Sequence, residues 1–379
     1  MRYRKFGKLD VMVSALGFGA MRLPTDGNPH NIVEEEAIKM IRTAIDEGVN
    51  YVDTAYPYHG GNSELVTGKA LKDGYREKVY LATKSPTWLI NSGDDFDRLL
   101  DEQLNKLQTD YIDFYLLHSL SKESWENVIL KHNIIERAEA AKNSGKIKYL
   151  GFSFHDEAKA FIEIVDGYDK WDFCQIQYNY MDIENQAGVS GLKYAAGKGI
   201  GVVIMEPLLG GRLANPPSDI RAIFDESTVK YAPAEWALQW LWNQPEVSLL
   251  LSGMSNMEQV QQNIEAANRC GVGLFSEEEL KLFDRIRSRY NERAAIPCTG
   301  CSYCMPCPNN VEIPRNFELY NGSVIHDDVN GSRREYLNFF DEVNRAAACI
   351  QCRICEDKCP QGIPISEWMP KVHQMLGAL

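Results

Sequence analysis

The chain has 379 residues, 44% of them hydrophobic and 25% charged, an ordinary globular make-up with room for one large core and something smaller. A formal charge of −13 excludes the clustered Lys and Arg that a sequence-independent grip on nucleic acid or on an anionic membrane requires. The opening MRYRKFGKLDVMV lacks the apolar segment of a leader peptide and no later stretch reaches spanning length, so a cytoplasmic setting is expected.

From about residue 13 to residue 268, short apolar or alternating runs recur, each followed by an amphipathic stretch. The predicted strands are VSALGF (13–18), YVDT (51–54), VYLAT (79–83), IDFYLLH (112–118), YLGFS (149–153), FCQIQ (173–177), GVVIM (201–205) and VSLLLS (247–252). Helical patterns lie between them, among them EEEAIKMIRTAIDEG from Glu34, FDRLLDEQLNKL from Phe96, IIERAEAAKNSG from Ile134 and PAEWALQWLWNQ from Pro233. Pro233 suits a first helical turn, and Gly48 and Gly145 stand where C-caps belong. Eight strands joined by crossover helices predict an α/β fold of the (β/α)8 TIM-barrel type over residues 1–290. The competing open sheet would be expected to carry a GxGxxG turn after its first strand if it bound a dinucleotide, and none is present.

In such a barrel the chemistry belongs at the carboxyl ends of the strands. The polar residues there are Asp53, Lys84, His118, Ser153 and Gln175. DTAYPY (53–58), YLATK (80–84) and DYIDFYLLH (110–118) resemble the aldo-keto reductases, and order and spacing match from LGFGAMRLP near the start to NIEA at 263–266. The resemblance implies a catalytic set of Asp53, Tyr58, Lys84 and His118, with NSE at 62–64 fitting the family's helix start. The chemistry is coherent: a carbonyl needs hydride at carbon and a proton at oxygen, and nicotinamide supplies only the first. Lys84 beside Tyr58 is expected to lower the phenol's pKa, Asp53 to hold the lysine, and His118 to donate a hydrogen bond to the carbonyl oxygen.

The same resemblance places the nicotinamide carboxamide against Ser153 and Gln175, although Phe154 stands where these enzymes often have Asn. Met205 occupies the place of the stacking aromatic and covers a ring more loosely. PLLGGRL (207–213) resembles the segment over the pyrophosphate, with Pro207, Leu208, Gly210 and Arg212 as contacts. SGMSNMEQVQQN (252–263) resembles the adenosine side, with Ser252, Gly253, Ser255, Gln259, Gln262 and Asn263 as candidates. Gln259 stands at the family's usual arginine position, so NADP is a family-level preference and NAD stays open. Loops bearing Tyr56, Trp88, Trp125 and Leu208 are expected around the mouth, where they would suit an apolar or aromatic carbonyl.

Eight of the ten cysteines fall between Cys298 and Cys359, a clustering that favours metal over disulfides and marks a second domain over 291–379. Cys349, Cys352, Cys355 and Cys359 are spaced C-x2-C-x2-C-x3-C-P, the bacterial-ferredoxin pattern. Cys298, Cys301, Cys304 and Cys307 form a shorter version, and CPNNVEIP and CPQGIPIS follow the two runs like halves of a duplication. By that analogy Cys359 joins Cys298, Cys301 and Cys304 on one 4Fe-4S cluster, and Cys307 joins Cys349, Cys352 and Cys355 on a second. Two all-thiolate zinc sites are the alternative. The segment NGSVIHDDVNGS between the runs is expected as a loop, and the clusters as either staples or redox centres.

The reading that follows is an NAD(P)H-dependent reductase of aldehydes or ketones, or the reverse dehydrogenase, acting on a small carbonyl or alcohol and carrying a ferredoxin-like iron-sulfur tail. Ferredoxin or another redox protein is the partner such a tail would take. An electron-transfer enzyme fed by ferredoxin, and a non-catalytic nucleotide-binding redox sensor, are the alternatives.

Overall fold

The computed structural model describes residues 1–378, and they form two compact units: Met1–Gly210 with Ala234–Ser276, and Gly211–Pro233 with the chain from Glu277 onward. In the first unit, β1 (Tyr3–Lys5) and β2 (Met12–Ser14) pair as an antiparallel hairpin. Eight parallel strands then close a barrel: β3 (Leu16–Gly19), β4 (Tyr51–Asp53), β5 (Tyr80–Ser85), β6 (Ile112–Leu120), β7 (Ile147–Phe154), β8 (Phe173–Gln177), β9 (Gly201–Met205) and β10 (Leu249–Gly253), the last returning to β3. The expected first strand, 13–18, is in fact two. Its front half joins the hairpin, and the chain turns at Ala15, whose carbonyl accepts from Trp242 Nε1 (2.8 Å) and Leu250 N (3.1 Å).

The barrel interior is packed with aromatic rings. Phe114 meets Phe6 at 4.8 Å and Phe173 at 5.1 Å, the second pair edge to face. Room for them depends on glycine: a Cβ on Gly151 would lie 2.5 Å from the Phe173 ring, and one on Gly201 would lie 2.6 Å from Phe6. Outside the strands run α1 (Glu34–Asp46), α2 (Asn62–Ala70), α3 (Gly93–Leu107) and further helices, which bury their apolar stripes against the barrel. Among the described residues no helix is long and apolar enough to cross a membrane.

The second compact unit takes in the segment Gly211–Pro233 and the chain from the helix Glu277–Glu292 onward. That helix packs on the segment 211–233, with Phe283 against Phe224 (6.1 Å), Arg285 on Glu226 (2.7 Å), and Arg289 and Arg293 both on Asp219. The supposed loop 321–332 is mostly helical: it spans the end of the helix Ile313–Ile325 and the start of Val329–Asn338. Its glycines and asparagines read as breakers, yet Asp328 caps the second helix by accepting from Gly331 N (2.8 Å), and Asn321 ties down Ile296 through backbone bonds of 3.0 and 2.7 Å. The duplication is visible as structure. Val311 and Ile313 follow Cys307 as Ile363 and Ile365 follow Cys359; all four are buried, and each pair leads straight into a helix, Ile313–Ile325 or Ile365–Leu376.

Candidate active site

Asp53 ends β4 and Lys84 lies near the end of β5, both buried. Lys84 Nζ donates to Asp53 Oδ1 at 2.7 Å, to the Thr54 carbonyl at 2.9 Å and to Tyr58 Oη at 3.4 Å. Tyr58 reaches that amine from a sharp turn in which His59, Gly60 and Gly61 take φ of 52°, 65° and 94°. A non-glycine residue in the left-handed region needs support. His59 has it: its Nε2 accepts from Leu23 N (3.2 Å) and its Nδ1 lies 2.6 Å from the Pro29 carbonyl, an arrangement that fixes the neutral tautomer with the proton on Nδ1.

His118 stands in β6 where the ladder to β7 shifts register between Leu117 and Leu120, and Ser119 takes a φ of 56°. Such an irregularity re-aims a side chain. The imidazole lies edge-on to Tyr58, ring centres 6.4 Å apart, and Trp88 covers it at 5.1 Å. Four sequence-predicted residues therefore meet at one end of the barrel.

The electrostatics of the quartet are those of a dry site. Burial raises the Asp53 carboxyl against the pull of Lys84. Burial lowers the Lys84 amine, but Asp53 and Tyr58 more than offset it and the amine ends above its ordinary value. The Tyr58 phenol is also raised, because burial outweighs the attraction of Lys84. This corrects the expectation of a lowered phenol: sequence shows the neighbouring charge but not the loss of water. Burial, with Lys84 and then His155 adding to it, pushes His118 down to about 2, so the imidazole is neutral.

That value has a consequence for stability. An unfolded histidine takes its proton near pH 6.5 while folded His118 does not, so below that pH the unfolded state binds more protons and stability falls until about pH 2. His118→Gln is expected to lose less stability than the parent between pH 7 and pH 5 in urea titrations. Equal losses would contradict a buried neutral imidazole.

Ser153 and Gln175 are buried on neighbouring strands. Ser153 Oγ accepts from Ser119 N (2.7 Å); Gln175 Nε2 lies 3.6 Å from Met205 Sδ, and its Oε1 has no hydrogen-bond partner among the described residues. An orphaned buried amide oxygen beside an accessible thioether suits a carboxamide-bearing ring. Phe154 turns away onto Phe161 (5.1 Å). At the end of β10, Asn263 Nδ2 donates to Ser252 Oγ (3.0 Å), Asn256 caps the helix Met257–Asn268, and Gln259 accepts from Ser255 N (2.8 Å) while Gln262 bonds Glu258 (3.0 Å). Arg212 is engaged elsewhere: in the second unit its guanidinium bonds Asp328 (3.0 Å) and Ser332 (3.4 Å). Of the expected mouth residues, Trp88 is half-exposed beside His118, whereas Trp125 is buried against Trp171 and Tyr56 bonds Glu102 under the Lys106 ammonium. Sequence reading missed Thr54, Arg22 and Glu206. Glu206, at a φ of 54°, holds Gly210 N and lies 3.7 Å from Arg22.

The cysteines of the second unit wall two cavities. One is lined by Cys298, Cys301, Cys304 and Cys359, the other by Cys307, Cys349, Cys352 and Cys355, with Ile313 and Ile365 shared between them. Burial raises the thiols of Cys298, Cys304, Cys349 and Cys355, the last to about 11, and neighbouring cysteines of the same set add to each rise, a repulsion that a cationic core would discharge. Among the described residues no three His, Cys, Asp or Glu side chains converge tightly enough for a single ion.

A closed parallel barrel with an ammonium-phenol pair and a neutral imidazole at its strand ends defines an oxidoreductase of the TIM-barrel class. Residues 15–287 match the model of the aldo/keto reductase family, and residues 297–363 that of a 4Fe-4S dicluster domain. The chain belongs to the aldo/keto reductase family. It is 29% identical over 314 residues to an uncharacterized oxidoreductase of Bacillus subtilis, spanning 74% of this chain and 95% of that one. With the NADH-specific methylglyoxal reductase of Escherichia coli it shares 27% over 322 residues, 71% of this chain and 94% of the relative. The aldo-keto reductase of Klebsiella pneumoniae in complex with NADPH superposes with a TM-score of 0.62 at 26% identity, covering 76% of this chain and 96% of that structure.

Proposed function

We propose that the protein reduces a small aldehyde or ketone with a nicotinamide dinucleotide, or runs the reverse oxidation, with Tyr58 as the general acid. One observation carries the reading: Lys84 Nζ touches Asp53 and Tyr58 together, at 2.7 and 3.4 Å, in a buried site. The nicotinamide, when bound, supplies the hydride. The chain's own residues handle the oxygen. The neutral His118 imidazole donates a hydrogen bond to the carbonyl oxygen, orienting it and stabilising the charge that grows there. The raised Tyr58 phenol stays protonated at neutral pH, so the acid form is the resting form. Its proton passes to the alkoxide, a far stronger base than a phenolate, and Lys84 stabilises the phenolate left behind. Asp53 fixes the ammonium against recoil.

Ser153 and Gln175 are assigned to the carboxamide and Met205 to the ring, with Pro207, Leu208 and Gly210 over the pyrophosphate. Ser252, Gly253, Ser255, Gln259, Gln262 and Asn263 are assigned to the adenosine side. Relatives use both dinucleotides by name, NADH in the Escherichia coli reductase and NADPH in the Klebsiella structure. An aldehyde and ketone panel assayed with NADH and NADPH tests the reading; no turnover with either would contradict it.

Residues 291–379 are assigned two 4Fe-4S clusters in crossed ligation, in a structural or electron-transfer role, and a redox protein is the partner a transfer role implies. Anaerobically purified protein is expected to hold about eight iron and eight sulfide per chain. Cys304→Ser and Cys355→Ser are each expected to lose one cluster and leave about four of each. Zinc without acid-labile sulfide would contradict the assignment.

A further inference from the structure

Behind the strand that carries Lys84 lies a buried polar network whose members other than Lys84 the chemistry above does not use. Its members are Glu64 in α2, Thr83 and Lys84 in β5, Gln103 in α3 and Tyr115 in β6; apart from Lys84 they have no exposed surface. The Tyr115 hydroxyl donates to Gln103 Oε1 at 2.7 Å, which leaves the amide nitrogen's two hydrogens for acceptors on its other side. They go to Glu64 Oε1 at 2.5 Å and to the Lys84 carbonyl at 3.0 Å. Thr83 Oγ1, 3.2 Å from the same nitrogen, gives its own proton to Glu64 Oε1 at 2.7 Å. Every hydrogen-bond direction is thereby fixed.

The network sits where the barrel ladder runs out. β4 stops at Asp53, paired with Ala82, while β5 continues to Ser85. Alternate residues of a parallel strand address the same neighbour. Ala82 takes the Thr54 N–H at 2.9 Å, so the Lys84 carbonyl, two residues on, faces the side where β4 has ended. Gln103 supplies the missing donor. One residue before Glu64, Ser63 Oγ lies 2.8 Å from Thr54 Oγ1, so the NSE segment ties both strand ends, Ser63 the one that bears Asp53 and Glu64 the one that bears Lys84.

We propose that Glu64 and Gln103 are positioning residues that keep the Lys84 amine on the Tyr58 phenol; the proposal rests on the reading of Tyr58 and Lys84 above. At 3.4 Å that contact is at the long edge of hydrogen bonding, whereas the Asp53 contact at 2.7 Å is not. A drift of the strand end therefore breaks the phenol contact first. Glu64 serves as an acceptor: its Oε1 takes two neutral donors, and the Lys106 ammonium stands 3.8 Å from its Oε2. A glutamine carbonyl accepts the same two donors and a leucine accepts none.

The test uses full-length protein labelled at tyrosine 13Cζ, with the Tyr58 resonance assigned through Tyr58→Phe and titrated by NMR. Glu64→Leu and Gln103→Leu are expected to raise the Tyr58 midpoint by about one pH unit, because the ammonium no longer favours the phenolate. They are also expected to lower kcat for 4-nitrobenzaldehyde about tenfold, with KM within about twofold. Glu64→Gln should keep the parent midpoint. Thr83→Val, isosteric and mild, should shift the midpoint in the same direction and serves if the leucine variants fail to fold. An unmoved midpoint in folded Gln103→Leu or Thr83→Val overturns the proposal, as does a Glu64→Gln midpoint displaced as far as that of Glu64→Leu. Full turnover in Tyr58→Phe would instead defeat the general-acid reading, and the midpoints would still decide the positioning.

Discussion

Tyr58→Phe is expected to lower the rate of carbonyl reduction about 10²–10⁴-fold, the usual worth of a positioned general acid, while nicotinamide binding survives. The ring stays: only the oxygen 3.4 Å from Lys84 Nζ is removed, and the perpendicular contact with His118 is a contact of the ring itself. None of the residues assigned to the dinucleotide depends on the phenol oxygen. Fluorescence titration of the bound dihydronicotinamide should therefore give parent-like affinity in a variant that turns over slowly. Loss of binding together with rate would show that Tyr58 shapes the pocket instead of donating the proton.

Lys84→Met is expected to destabilise the barrel by about 3–5 kcal/mol, the cost of breaking a buried ion pair and leaving one charge behind. Both partners are all but inaccessible, so Asp53 cannot exchange the ammonium for water. The sign of the pH dependence follows. Burial already raises Asp53 against the pull of Lys84, and without the lysine that rise is unopposed. A carboxyl whose folded pKa is raised costs stability as pH climbs through the carboxylate range, so the deficit should be larger at pH 8 than at pH 5. Asp53→Asn combined with Lys84→Met should recover much of it. Urea titrations of the three variants at the two pH values check this, and a deficit that grows on acidification would contradict it.

The eight barrel strands were legible because parallel strands buried on both faces read as near-continuous apolar runs. That same continuity hid the break at Ala15, where two strands of different sheets share one apolar stretch. The quartet could be read because each member lies near or just past the carboxyl end of a strand, so a local motif reports its place. The network behind Lys84 could not: Gln103 lies 39 residues from Glu64 and sits in a helix, where a glutamine reads as surface. The sign of the Tyr58 shift was missed for a related reason, since burial belongs to the assembled site and leaves no mark on DTAYPY. In the tail, the analogy with bacterial ferredoxins suggested the crossed grouping, which iron and sulfide analysis of the cysteine variants tests. Helix Glu277–Glu292 shows no cysteine, and its aromatic and ionic contacts are with residues 211–233 of the same compact unit.

The most direct measurement is a single turnover of the anaerobically purified protein with a dihydronicotinamide dinucleotide carrying deuterium at the transferring C4 position, run in parallel with Tyr58→Phe. Direct hydride transfer with protonation by the phenol predicts deuterium on the carbinol carbon of the product and a marked slowing of that step in the variant. Product formed without the label, its new C–H hydrogen drawn from water, or equal rates for the two proteins, would contradict the account.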